Sequence, residues 1–181
     1  MRCFFALEPS PASRFAIEQW RQKYLPPLDA AVPAGNYHIT LAFLGEASHS
    51  QVDDMVSFLN NQSLPAPFAL NLNHVGYFAR PKVFWLGIDD YCPTHQQLVA
   101  LSQKAGGIAR INVPRDGYTP HLTLARKCKQ PPAPPLVEPN IRCLFDQFHL
   151  FESVSTPVGV RYQKRFSWQL QPEINPRKQL R

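Results

Sequence analysis

Two stretches of this chain, YHITLAFL at 37–44 and PHLTLARK at 120–127, each write His, an apolar residue, Thr and Leu, 83 residues apart. This repeat constrains the fold more than any other feature, because each copy lies in an apolar run of strand type. Side chains alternate across a strand, so His38 and Thr40 share one face, with Ile39, Leu41 and Phe43 on the other. His121 and Thr123 likewise share a face opposite Leu122 and Leu124. Each copy offers an apolar face to a core and a His–Thr pair to a groove. With six His and five Thr in 181 residues, chance supplies a His-x-Thr roughly 0.2 times.

The surrounding pattern predicts strand, helix and motif strand, twice. Residues 2–8 read as a buried strand. Ser10 caps a helix with Pro11 in its first turn, and Ala16, Ile17, Trp20 and Tyr24 form its inner face until Pro26-Pro27 ends it. The first motif strand spans 36–44. Ser50 is the expected cap of a second helix, with Val52, Met55, Val56 and Leu59 inward. Residues 68–78 alternate as one strand and 82–88 form another. Thr94 is the expected cap of a third helix, with Leu98, Leu101, Ala105 and Ile108 on one face and Gly106-Gly107 fraying its end. The second motif strand spans 118–127, residues 130–139 form a Pro-rich loop, and strands at 142–154 and 160–170 close the chain. The span from Phe5 to His38 is 33 residues and that from Trp85 to His121 is 36. The matched order predicts an α+β fold. Two pseudo-symmetric lobes of antiparallel sheet carry helices outside, with one motif per lobe around a central cleft. Residues 1–170 form this single bilobal domain, and 171–181 a polar basic tail.

Composition narrows the function classes. Charged residues are 18% and apolar residues 44%, a folded rather than disordered balance. No apolar run approaches the 18 or so residues a membrane helix needs, and the start MRCFFALEPSP is no secretory signal. A cytoplasmic monomer is expected. Cys3, Cys92, Cys128 and Cys143 form no C-x-x-C pair, so they read as ordinary thiols. The net charge of +6 suits an anionic partner such as RNA; it gathers at 126–129, at 161–165 and in the tail.

Two imidazoles facing one cleft suit cleavage of a phosphodiester. The neutral one takes a proton from attacking water and the protonated one gives a proton to the leaving oxygen. Both forms are accessible near neutrality. The hydroxyls of Thr40 and Thr123 can donate to the non-bridging phosphoryl oxygens. This scheme asks for no metal and no cofactor. The motif symmetry leaves open which His is the acid. His49, His74, His95 and His149 lack a Thr two residues on and read as surface or structural.

With HITLAFLG at the first motif and TPHLTLAR at the second, the chain resembles the 2H phosphoesterase superfamily. Within it, the chain is similar to the bacterial 2′-5′ RNA ligase family, also called RNA 2′,3′-cyclic phosphodiesterases. The strands RCFFALEPSP, VFWLGID and RYQKRFSWQL fit the same pattern, so the resemblance covers residues 2 to about 170. It implies opening of a terminal 2′,3′-cyclic phosphate on RNA to a 2′-phosphate, with reversible 2′-5′ ligation. The implied partner is RNA bearing a cyclic end or a 2′-5′ linkage. It also implies His38 as proton donor to the 3′ oxygen and His121 as proton acceptor from water, with Thr40 and Thr123 holding the phosphate. Arg126 matches the family's Arg after the second motif, although strict alternation sets it on the face opposite His121. Phe43 is a candidate for the nucleobase side, although alternation assigns it to the core. Tyr162 is a candidate RNA contact. Two alternatives stay open: an RNA-binding module without catalysis, leaning on the basic excess and on Trp85 and Tyr162, and a phosphodiesterase for a small cyclic nucleotide.

Overall fold

The computed structural model describes residues 1–28, 30–114, 117–157 and 159–171. Apart from Gln171, the basic tail lies outside the described residues. The chain runs β1 (Arg2–Leu7), α1 (Pro11–Tyr24), β2 (Ile39–Glu46), α2 (His49–Asn60), β3 (Phe68–Leu72), β4 (His74–Phe78), β5 (Val83–Gly87), α3 (Pro93–Ile108), β6 (His121–Ala125), β7 (Ile141–Phe145), β8 (Gln147–Thr156) and β9 (Gly159–Gln169). Seven strands form one sheet in the order β4-β5-β6-β2-β1-β8-β9, and β3 pairs with β7 in a second, two-stranded sheet. All the pairings are antiparallel, so the fold is α+β as expected. The motif strands β2 and β6 are neighbours at the middle of the large sheet.

Alternation along β1 explains how this sheet is covered. Cys3, Phe5 and Leu7 join the main core with Ile17 and Trp20 of α1, while Phe4 and Ala6 turn to the other face with Phe151 and Tyr162. Phe5, fully buried, packs against Phe148 and Trp168. The helices cover the first face and leave the second for a cleft.

Several element boundaries differ from the sequence reading. The alternating stretch 68–78 is two strands: the chain breaks at Asn73, so β3 pairs with β7 and β4 with β5. A second break at Asp146 splits 142–154 into β7 and β8 in the same way. Period-two alternation continues through both breaks, so nothing in it marks a change of sheet. Helix α2 is capped by Ser48, not Ser50. The Ser48 hydroxyl accepts from the Gln51 amide at 3.2 Å while Gln51 Oε1 accepts from the Ser48 amide at 3.0 Å, a reciprocal capping box. Helix α3 starts at Pro93 rather than after Thr94, since the fixed φ of proline suits a first helical position. Nor does it fray at its glycines. Gly106 is buried against Val113 and Leu44, where a Cβ would collide, and Ile108, expected inward, is 49% exposed.

Two buried histidines outside the motifs couple folding to pH. Burial pushes the imidazole of His95 down to about 4. Burial also takes His149 to about 4, helped by Lys164 and opposed by Glu8 and Asp146. The unfolded chain binds protons near 6.5 that the native state refuses until about 4, so stability contributed by these groups is present above 6.5 and lost as pH falls through that window. The expected result is a denaturant midpoint that drops steadily from pH 6.5 to 4, with His95→Phe and His149→Phe each flattening the slope. Equilibrium unfolding across that range checks it; a midpoint independent of pH would refute it.

Candidate active site

The cross-strand register brings the two motifs together. Among the described residues a single pair, Ile39 opposite Leu122, joins β2 to β6. In an antiparallel ladder that register sets Thr123 across from His38 and His121 across from Thr40. The two His then lie on a diagonal of about 7–8 Å between backbones. Ile39 and Leu122 are fully buried in the core, so the four polar side chains share the opposite face. Tyr118 braces this seam. Its hydroxyl donates to the Thr40 carbonyl at 2.9 Å, and having only one proton it accepts from His95 Nε2 at 3.2 Å.

Both imidazoles are held alike. Nδ1 of His38 donates to the Asn36 carbonyl at 2.7 Å, and Nδ1 of His121 to the Thr119 carbonyl at 2.8 Å. A carbonyl only accepts, so Nδ1 carries the proton and Nε2 is left for chemistry. Aromatic rings fix the planes. Phe4 and Tyr162 stand 4.9 and 4.8 Å from the His38 ring, while Phe78 and Trp85 stand 5.0 and 5.9 Å from that of His121.

A bulge in each motif strand places the next residues. Phe5 pairs with Ala42 and Ala6 with Thr40, leaving Leu41 as the extra residue; Phe84 pairs with Ala125 and Trp85 with Thr123, leaving Leu124. An extra residue reverses the alternation beyond it. Phe43, assigned to the core by strict alternation, is instead 46% exposed. Arg126, assigned to the face opposite His121, turns into the cleft. Both stand five residues after their motif His. Phe43 and Arg126, with His38, Thr40, Tyr162, Phe4, Ser153 and Val160, surround a cleft of about 340 Å³ that also reaches Arg2. This space lies over β2, β1, β8 and β9, on the His38 side of the seam.

Electrostatics follow from this crowding. Burial is the main force that pushes His38 down to about 4, and the nearby charges of Arg126 and His121 act the same way against the Asn36 hydrogen bond. His121 is also lowered, first by burial and then by Arg126, against the Thr119 hydrogen bond. The arrangement can hold a phosphoryl group between two imidazole nitrogens, two threonines and a guanidinium. Among the described residues no group of three or more His, Cys, Asp or Glu gathers as a metal site.

Sequence reasoning missed the aromatic seats. Phe4 was legible in principle, since alternation pairs it with Ala6 away from the core. Trp85, which the RNA-binding alternative leans on, is 8% exposed and packs against His121. Gly76 and Gly87 make room for it, because a Cβ at either would fall inside the indole or the His74 ring. A large aromatic with a glycine across from it on β4 and another two residues along β5 was the available signal. Of the histidines, His38 lines this cleft while His121, like Thr123, stands across the seam from it; His49, His74, His95 and His149 are not part of its lining.

The comparisons with known proteins agree with this geometry. The family model described as the 2′-5′ RNA ligase superfamily matches residues 8–156. The chain is 32% identical to the RNA 2′,3′-cyclic phosphodiesterase of Escherichia coli K12, over 93% of this chain and 96% of that protein. It is 27% identical to the protein of that name from Thermotoga maritima, over 75% of this chain and 76% of that one. Its fold is similar to the crystal structure of E. coli LigT complexed with 3′-AMP, with a TM-score of 0.84 at 29% identity, covering 93% of this chain and 97% of that one. Paired motifs on adjoining strands, a shared fold and a family match over most of its length lead to one conclusion: this chain belongs to the 2′-5′ RNA ligase superfamily.

Proposed function

We propose that this protein is an RNA 2′,3′-cyclic phosphodiesterase working by two-histidine acid–base catalysis. The observation that carries the assignment of roles is the lopsided cleft. Its volume lies on the His38 side, so the nucleoside sits there and its 3′ oxygen leaves toward His38. His121 is then on the face open to water. Nε2 of His121 takes a proton from water and the water oxygen bonds to phosphorus. The bond from phosphorus to O3′ breaks, and protonated His38 delivers its proton to O3′, leaving a 2′-phosphate. Thr40, Thr123 and Arg126 hold the non-bridging oxygens, where charge concentrates. Tyr162 borders the space left for the terminal base and ribose, with Phe43 at the end of the cleft beside Arg2, and a 5′-hydroxyl attacking in place of water forms a 2′-5′ linkage by the same step, reversibly.

The same proposal reads residues 1–170 as one bilobal domain made of two related halves. Supporting it, Ala6 on β1 faces Thr40 as Trp85 on β5 faces Thr123, and both motif strands bulge at their Leu. We further read the protein as a cytoplasmic monomer; the cleft is complete within one chain, and no described helix is long and apolar enough to cross a membrane.

The test is product analysis of an RNA oligomer ending in a 2′,3′-cyclic phosphate. The expected product is solely the 2′-phosphate, formed at an unchanged rate in EDTA. A 3′-phosphate product would reverse the bond assignment, and loss of turnover on chelation would replace the acid–base scheme.

A further inference from the structure

The cleft contains a cation that the chemistry above does not use. Arg2, at the start of β1, lies with its guanidinium 5.4 Å from the centroid of the Phe43 ring, and both residues line the cleft. Its cross-strand partner Glu46 is turned to the N-terminal ammonium, 3.4 Å away. Arg2 makes no ion pair with a carboxylate among the described residues. Phe43 stands across from Phe4, two residues along β1 from Ala6, which faces Thr40. Two strand residues span about 7 Å, so the guanidinium is drawn back to one nucleotide's length from the phosphate-binding row.

A cyclic mononucleotide brings one negative charge, and Thr40, Thr123 and Arg126 engage it. Arg2 would then face none. An RNA chain brings a second charge, the phosphodiester joining the terminal nucleotide to its neighbour. We infer that Arg2 and Phe43 form a second subsite that takes this upstream phosphodiester and its base, so the cleft is built for the end of an RNA chain rather than for a cyclic mononucleotide. The guanidinium pairs with the phosphate while the exposed Phe43 ring offers a stacking surface. This inference rests on the reading of the cleft given under the proposed function.

The test compares binding of a dinucleotide ending in a 2′-phosphate with binding of a nucleoside 2′-phosphate, across a salt series. Each phosphate neutralised on a single strand adds about 0.7 to the slope of log affinity against log salt. The wild-type slope is expected to be steeper for the dinucleotide by about that amount. Arg2→Gln erases the difference and Arg2→Lys, which keeps the charge, retains it. Equal wild-type slopes, or an Arg2→Gln variant that weakens both ligands alike, would overturn the subsite. Because binding is read rather than turnover, the result stands apart from the bond-cleavage test. Failure of the wild type to bind either ligand would overturn the subsite together with the reading of the cleft.

Discussion

His38→Ala and His121→Ala each lower the turnover of a 2′,3′-cyclic phosphate by roughly 10²- to 10⁴-fold, the range for one positioned proton transfer. The double variant loses little more than the worse single one, because the two groups act on one transition state. The fold survives. Each substitution frees one backbone carbonyl, of Asn36 or of Thr119, in a cleft that water enters, at a cost of about 1 kcal/mol. The pH profiles separate the roles. Removing the acid abolishes the alkaline limb of the rate and removing the base abolishes the acid limb, so His38→Ala flattens the first and His121→Ala the second. Single-turnover kinetics with circular dichroism as a control checks this. Near-wild-type rates in both variants would end the mechanism.

Arg126→Met is expected to cost about 10²- to 10³-fold in kcat, the scale for losing one preorganised donor to developing phosphoryl charge. A pH effect distinguishes it from a mere loss of binding. In the free protein burial first, and Arg126 beside it, hold both imidazoles below their usual 6.5, with His38 near 4. One imidazole must be protonated to act, so kcat/KM for the wild type falls as pH rises, with its alkaline limb below 6.5. Removing the cation lets both values rise and shifts that limb upward. In the wild-type complex the phosphate anion offsets Arg126, so the limb of kcat lies above that of kcat/KM. A variant whose limbs coincide with those of the wild type would show that Arg126 does not face the imidazoles. Arg126→Lys keeps the charge but not the planar fork; it retains the low limb while recovering only part of the rate.

The four motif residues were legible because period-two alternation and two His-x-Thr copies are local facts. Their convergence was legible only through the resemblance and the repeated element order. Phe43 and Arg126 were named as cleft candidates from the resemblance, and strict alternation alone misplaces them for one reason. A bulge is a matter of pairing between strands, and neither HITLAF nor HLTLAR carries a mark of it. The breaks at Asn73 and Asp146 were hidden similarly, since a strand that changes sheet need not change its pattern. Ser48 was overlooked although Gln51 three residues on completes its capping signature. Tyr118 could not have been read at all. Its partners, the Thr40 carbonyl and His95, are 78 and 23 residues away, and a hydroxyl in a loop before a strand announces neither.

The thin joint between β2 and β6 has a mechanical consequence. The sheet is continuously paired within β4-β5-β6 and within β2-β1-β8-β9, and thinly joined between the two motif strands. Each imidazole rides on its own plate. Flexing along that thin joint would widen or narrow the gap between the rings with every other strand ladder left whole, checked by the Tyr118 bond to the Thr40 carbonyl and by the backbone bonds from residues 30–32 to β6.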